Sequence, residues 1–284
     1  MTGVRTYPAG VTSWIDVEQN DVAAAKAFYG GLFGWTFMEA TAPGAPFRYV
    51  IARLDGKDVA GIGGPADIAR AQPAASAWNT YVAVDDAHAT AELVTDSGGR
   101  IVTPPAVAGE GGISVVCADP AGVEFRLWQA KRRPGAQITN TPGSWNFSDL
   151  HAVDTAESSS FYAEVFGWSI DDLGFATMIR RPGYGDHLAA TTDPNIYERQ
   201  SGDMVPPGFA DAIGWLTPVQ EAKASHWHVT FTVADRDETA TAAVQLGATV
   251  LSTADTEWTR AVLIRDPQGA EFTASQFTPP GSMS

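Results

Sequence analysis

At 284 residues with 44% apolar side chains, the chain is long enough to bury one or two ordinary cores. Its 18 basic against 33 acidic side chains leave a net charge of −15, which repels nucleic-acid backbones and anionic membranes and argues against both as partners. The single cysteine, Cys117, excludes an intrachain disulfide.

In chain order, the first signal is a strand-like run at 14–17, then Asp21, then an amphipathic helix over 22–32. The same sentence recurs with strand 80–84, Asp86 and helix 87–95. It recurs again with a strand from Trp145, Asp154 and helix 155–165, and a fourth time with strand 228–233, Asp235 and helix 236–246. Each aspartate can accept from the free amides of the first turn, where its charge also suits the positive helix end. Glu157 and Glu238, three residues beyond their aspartates, resemble capping boxes. Gly34, the Gly98–Gly99 pair, Gly167 and Gly247 fall where the periodicity stops, as left-handed caps do. Short alternating runs bounded by Gly and Pro follow each helix, as at 47–52, 113–117 and 261–264. Cys117 ends one of these apolar runs and reads as a buried, inert thiol. The pattern is strand, helix and about three strands, four times over.

The repeats are also literal. Phe28-Tyr29 with Phe33-Gly34-Trp35 returns as Phe161-Tyr162 with Phe166-Gly167-Trp168, each 133 residues later. Asp119-Pro120-Ala121-Gly122 with Phe125 returns as Asp266-Pro267-Gln268-Gly269 with Phe272. Two ordered motif pairs mark a tandem duplication. A stretch rich in charge, Pro and Gly at 131–143 reads as a linker between halves 11–130 and 144–278. The capping aspartates lie 65 residues apart in the first half (Asp21, Asp86) and 81 in the second (Asp154, Asp235). The extra residues are placed at 193–218, which carries Tyr197, Met204, Pro206-Pro207, Phe209 and Trp215. Such an apolar insertion either folds over a cleft or partner or packs on its own domain.

The four strand–helix units, the Phe-Tyr and Phe-Gly-Trp motifs and Asp-Pro-x-Gly together resemble the vicinal oxygen chelate superfamily. It includes glyoxalase I, the extradiol dioxygenases and the bleomycin-resistance proteins. The nearest likeness is to two-domain actinobacterial members, some similar to products of aromatic polyketide antibiotic clusters. The resemblance implies an α+β fold in which four βαβββ modules form two half-open barrel cups, with ligand or metal in each cup. In metal-dependent members His, Gln or Glu opens the first strand of a module, and Glu lies on the last strand. Here those positions are Trp14, Asn79, Phe147 and His228, then Arg126 and Thr273. Of these six only His228 is a good metal donor, whereas a catalytic ion needs three or more N/O ligands. No cofactor is therefore expected. The alternative is a divalent metal in the second cup, through His226 and His228, which alternation puts on one strand face, with Asp149 and Glu271 near enough to assist.

What stands in place of ligands is aromatic and sparsely polar. By alternation Trp14 shares a face with Asp16, Asn79 with Tyr81, and Glu124 and Trp128 with Arg126. With Phe147, His228 and Thr273, these form the expected ligand-binding set, and planar guests gain from stacking on such walls. A cationic amine on the guest would favour Asp16 and Glu124. Trp35 and Trp168, by contrast, read as core staples, as do Phe28, Tyr29, Phe161 and Tyr162, and Trp258 as the edge of a hairpin. His88, His151 and His187 read as solvated or structural.

Three functions follow. The first is a metal-free protein that binds a small aromatic secondary metabolite, for sequestration, self-resistance or delivery. The second is a tailoring enzyme, hydroxylase-like or otherwise an oxidoreductase, in which Asp16, Tyr81, Glu124 or His228 moves a proton. Any nicotinamide or flavin would be free, because no Gly-x-Gly-x-x-Gly follows a strand. The third is a metal-dependent lyase or dioxygenase using His226 and His228. The N-terminus shows no signal peptide and no apolar block, so the cytoplasm is the expected address. A monomer is favoured over a homodimer, since the tandem repeat can complete internally what single-domain relatives make by dimerising.

Overall fold

A computed structural model describes residues 5–67, 76–202, 205–221 and 224–278. It contains the four expected modules. The first is β1 (Thr12–Glu18), α1 (Val22–Phe33), β2 (Thr36–Glu39), β3 (Phe47–Leu54) and β4 (Lys57–Pro65). The second is β5 (Trp78–Ala83), α2 (Ala87–Asp96), β6 (Arg100–Ala108), β7 (Gly112–Ala118) and β8 (Glu124–Ala130). The third is β9 (Trp145–Ala152), α3 (Thr155–Phe166), β10 (Ser169–Asp172), β11 (Thr177–Arg180), then α4 (Tyr184–Thr191), α5 (Ile196–Arg199) and β12 (Ala212–Pro218). The fourth is β13 (His226–Thr232), α6 (Arg236–Gln245), β14 (Thr249–Asp255), β15 (Thr259–Arg265) and β16 (Glu271–Phe277). The strands make two unclosed mixed sheets, ordered β2-β3-β4-β1-β5-β8-β7-β6 and β10-β11-β12-β9-β13-β16-β15-β14.

The helix signals are realised as read. Asp21, Asp86, Asp154 and Asp235 each accept one or two backbone N–H groups of the first turn of α1, α2, α3 and α6. Gly34 and Gly167 close α1 and α3 in the left-handed region at φ 72° and 67°, which an L side chain adopts only at a cost. Cys117 is buried on β7, and burial pushes its thiol pKa up to about 12, the inert behaviour expected of it.

The chain packs as two compact units, and each draws on both halves of the sequence. One comprises Met1–Trp14, Thr80–Gly135 and Phe147–Trp227, the other Ile15–Asn79, Ala136–Asn146 and His228–Ser284. The repeated motifs explain this. In the second unit, Tyr29 of the first Phe-Tyr pair donates to Asp266 of the last Asp-Pro-x-Gly turn at 2.7 Å. In the first unit, Tyr162 of the second pair donates to Asp119 of the first such turn at 3.3 Å. Burial and the neighbouring carboxylate hold both tyrosine hydroxyls well above their usual pKa. The tryptophans of Phe-Gly-Trp repeat the exchange: Trp35 donates to the Gly143 carbonyl at 2.7 Å and Trp168 to the Gly10 carbonyl at 2.6 Å. Gly143 itself follows Gly10 by the same 133 residues.

Around each lock the rings pack edge to face or offset. Tyr29 sits among Phe33, Trp35, Trp78 and Phe272. Tyr162 sits among Phe125, Phe166, Trp168 and Trp227, and Trp227 donates to the Tyr162 hydroxyl at 3.1 Å. Such ring pairs add about 0.5–1.5 kcal/mol each beyond the area they bury. Trp258 stacks on Phe277 at the sheet margin, the hairpin edge expected of it.

The insertion departs from its expected bounds. Residues 212–218 are not loop but β12, which pairs with β9, and Trp215 belongs to that strand. The added chain lies between β11 and β12 and forms α4 and α5. Met204 lies outside the described residues. Tyr184, Leu188, Ile196 and Ala210 are buried in the core of their own unit. Arg5 donates to the Tyr184 hydroxyl, and His187, on α4 rather than in a loop, lies 3.2 Å from the Thr6 hydroxyl. Tyr184, Leu188, Ile196 and Ala210 thus pack on their own unit, whereas Tyr197 stands 50% exposed. The stretch 131–143 is likewise tied down: Gln137 and Asp58 exchange hydrogen bonds at 2.7 and 2.8 Å, and Ala136 is fully buried.

Candidate functional site

The polar centre of the second unit is Asp16. It is 2% exposed, on β1, and its two carboxylate oxygens accept from separate donors. Tyr49 Oη donates to Oδ2 at 2.9 Å, and Asn79 Nδ2 donates to Oδ1 at 2.8 Å. The local sequence makes this reach feasible. Asp16 is in parallel register with Gly61 of β4, and β3 runs antiparallel on the other side of β4. A Cβ at Gly61 would lie 2.0 Å from Tyr49 Oη and 2.9 Å from Asp16 Cβ. Gly63, two residues on, leaves room in the same way for Phe47 and the Tyr49 ring. Glycines at 61 and 63 therefore clear a path over β4 for the phenol.

The first unit contributes a second group. Tyr81 of β5 is in register with Arg126 of β8, and Ala83 with Trp128. The Arg126 guanidinium lies 5.6 Å from the Tyr81 ring centroid, and its Nη1 donates to Tyr81 Oη at 3.4 Å. Trp128 meets Tyr81 edge-on at 6.3 Å and donates its Nε1 to the Arg133 carbonyl at 2.8 Å.

The remaining candidates are placed as follows. Trp14 is buried on β1, and Phe147 is half-buried on β9. Glu124 stands exposed at the start of β8. His228 is 9% exposed, with Nε2 2.8 Å from the Thr273 hydroxyl. His226 is exposed; its Nδ1 lies 3.0 Å from the Ala224 carbonyl oxygen and its ring 4.7 Å from that of His151. Strand alternation pairs Trp14 with Asp16, Asn79 with Tyr81, and Glu124 and Trp128 with Arg126. The contacts made are instead Asp16 with Asn79, Tyr81 with Arg126 and Trp128, and His228 with Thr273. Sequence reasoning missed Tyr49, for which the Gly-x-Gly spacing inside β4 was the available signal.

The residues at the positions where the family resemblance would put metal ligands are poorly suited to holding an ion. Arg126 brings a fixed positive charge, Trp14 and Phe147 have no donor atom, and the His228 Nε2 is engaged by Thr273. Among the described residues no group of three or more His, Cys, Asp and Glu side chains gathers as a metal site. Two open pockets lie elsewhere. One of ≈230 Å³ is lined by Gln19, Phe28, Leu246 and Asp266 among others, and one of ≈330 Å³ by Gly10, Val84, Phe166 and Arg181 among others. None of the sequence candidates lines either.

The Asp16 network makes a direct prediction. Asp16→Ala removes the acceptor of two polar donors in a buried setting and is expected to lower stability by about 2–4 kcal/mol. Asp16→Asn, which keeps one acceptor oxygen, should lose about half of that. Denaturant unfolding of both variants measures it, and equal losses for the two would assign the cost to charge instead of to hydrogen bonding.

Comparison with known proteins completes the description. The family description Glyoxalase/Bleomycin resistance protein/Dioxygenase superfamily matches residues 13–127, and Glyoxalase-like domain matches 147–275. CFP32 of Mycobacterium tuberculosis, which carries a glyoxylase name, is 31% identical over 96% of this chain and 97% of its own. The anthracycline biosynthesis protein DnrV of Streptomyces peucetius is 34% identical over 95% of this chain and 94% of its own. The Mn(II)-bound glyoxalase of Novosphingobium aromaticivorans superposes with a TM-score of 0.60 at 13% identity, covering 98% of this chain and 85% of that one. At that identity the likeness is one of fold.

Proposed function

We propose, from the premise that the chain belongs to the glyoxalase/bleomycin resistance protein/dioxygenase superfamily, that it binds an aromatic polyketide of the anthracycline class without a metal at the family positions. The observation that carries this reading is the exchange of metal donors for rings and neutral polar groups at those positions, Trp14, Asn79, Phe147 and Thr273 above all. Full-length relatives named for anthracycline biosynthesis, at 34% and 32% identity, supply the ligand class. Trp14 and Asp16 share one face of β1, and Asp16 holds Tyr49 and Asn79 in place. A planar polyphenol gains from hydrogen bonds to a phenol and an amide held in fixed positions, and an indole such as that of Trp14 offers a stacking surface of its own. Tyr81, Arg126 and Trp128 offer a cation–π pair of the same chemical character, and His228 with Thr273 a further polar pair.

A second reading, a tailoring enzyme, is favoured by the buried carboxylate itself. Asp16 with a phenol on one oxygen is a group that can exchange a proton with a bound guest, in the manner of a general base. His228, Tyr81 and Glu124 are the other candidates for proton transfer.

Tryptophan-fluorescence titration with anthracycline glycosides and their aglycones tests the first reading. Saturable quenching is expected with the wild type, and Trp14→Ala should weaken the affinity by about 1–3 kcal/mol, the scale of one lost stacked ring, with unfolding unchanged. An unaltered affinity removes Trp14 from the site. Product accumulating beyond one equivalent of protein, with any added nicotinamide or flavin, would convert the binding reading into the enzymatic one.

A further inference from the structure

His151 is the last residue but one of β9 and His226 the first of β13, within one unit, and a hydrogen bond clips the two strand ends together. The Val153 N–H, two residues after His151, donates to the hydroxyl of Ser225, the residue before His226, at 2.9 Å. The two imidazole rings then lie 4.7 Å apart between centroids, with their planes at 47°. Two imidazoles bound in cis to one ion, each about 2.0–2.1 Å from it, put their centroids roughly 4.5–5 Å apart. The ring separation falls within the range of a two-histidine chelate. The His226 Nδ1 lies 3.0 Å from the Ala224 carbonyl oxygen. A backbone carbonyl accepting from one ring nitrogen is the contact that fixes the tautomer and presents the other nitrogen as a ligand. His226 is exposed and His151 half-buried, so an ion can enter without unfolding the sheet.

We infer that His151 and His226 form a binding site for a late first-row divalent ion, of the Zn²⁺, Ni²⁺ or Cu²⁺ kind, separate from the positions that carry metal in the family. Imidazole nitrogen selects this part of the series over Mg²⁺ and Ca²⁺. With two protein ligands, the ion keeps its other positions for water or for an oxygen-rich small molecule. Asp149 stands on the same face of β9 as His151, two residues earlier, and its Oδ1 accepts from the Trp215 amide at 3.0 Å.

Isothermal titration of the full chain with Zn²⁺ should show one saturable equivalent in the micromolar range, unchanged by a large excess of Mg²⁺. His151→Asn and His226→Asn should each weaken it by at least about tenfold, while the exposed His88→Asn control leaves it intact. Electron paramagnetic resonance of the protein loaded with one equivalent of Cu²⁺ should show two coupled imidazole nitrogens. Absence of a saturable equivalent, or an unchanged affinity in His151→Asn, overturns the inference. So does a loss in His228→Asn equal to that in His226→Asn, which assigns the ion to that other pair. If a variant fails to fold by circular dichroism, the copper spectrum of the wild type decides alone, and fewer than two nitrogens rejects the site.

Discussion

Asp266→Ala is expected to lower stability by about 3–5 kcal/mol, the largest loss for a single substitution outside the aromatic cores. The Asp266 side chain is 4% exposed and is the acceptor for four donors. Tyr29 Oη and Gln19 Nε2 both lie 2.7 Å from its Oδ2, and the Gln268 and Ala270 amides bond its Oδ1 at 2.8 and 2.9 Å. Deleting it strands the Tyr29 phenol and the Gln19 amide, both buried and both from the other end of the sequence, each costing about 1–3 kcal/mol. Asp119→Ala should cost less. Its bond to Tyr162 is longer, at 3.3 Å, and burial pushes the Asp119 carboxyl pKa up, so its ionised form is already penalised in the folded chain. Urea unfolding of the two variants provides the comparison. A loss under about 1 kcal/mol for Asp266→Ala would mean that the lock is peripheral and that ring packing alone joins the halves.

Gly61→Val is expected to disable the Asp16 network outright. The new Cβ would fall 2.0 Å from Tyr49 Oη and 2.5 Å from its Cζ, so the phenol must leave Asp16. Overpacking of this kind costs about 1–3 kcal/mol in stability. The larger effect should be on ligand affinity, about tenfold or more, since both the phenol and the Asp16 geometry change together. Tyr49→Phe separates the two contributions: it deletes the hydroxyl without a clash and should reproduce the affinity loss, with a stability loss of about 1–3 kcal/mol from the Asp16 oxygen that loses its donor. Fluorescence titration and denaturant unfolding of both variants give the two readouts. Unimpaired binding in Gly61→Val would place the ligand away from Tyr49 and Asp16.

The contrast between these two positions shows what was legible. Asp266 was visible as half of a repeated motif, and Tyr29 as half of another, but the repeat gave no reason to join one half's tyrosine to the other half's aspartate. Tyr49 appeared only as one residue of an apolar strand. Its partner lies 33 residues away in sequence, and the glycines that admit it are on a third strand. Likewise His226 was paired with His228 by strand alternation, while the ring beside it is His151 of another strand. The insertion was detected by its length but set too late, because β12 is as rich in apolar residues as the α4–α5 segment that precedes it.

The sequence by itself determined the duplication, the four strand–helix modules, their aspartate caps and glycine stops, and the burial of Trp35, Trp168 and Cys117. These depend on periodicity and on contacts within a few residues, which neighbours along the chain already specify. Only the tertiary structure decided that Tyr29 meets Asp266, that Tyr162 meets Asp119, and that Asp16 holds Tyr49 and Asn79. Hydrogen bonds between residues far apart in sequence depend on strand order and register, which have no local signature; the Gly61-x-Gly63 spacing marks room on β4 without naming the side chain that fills it.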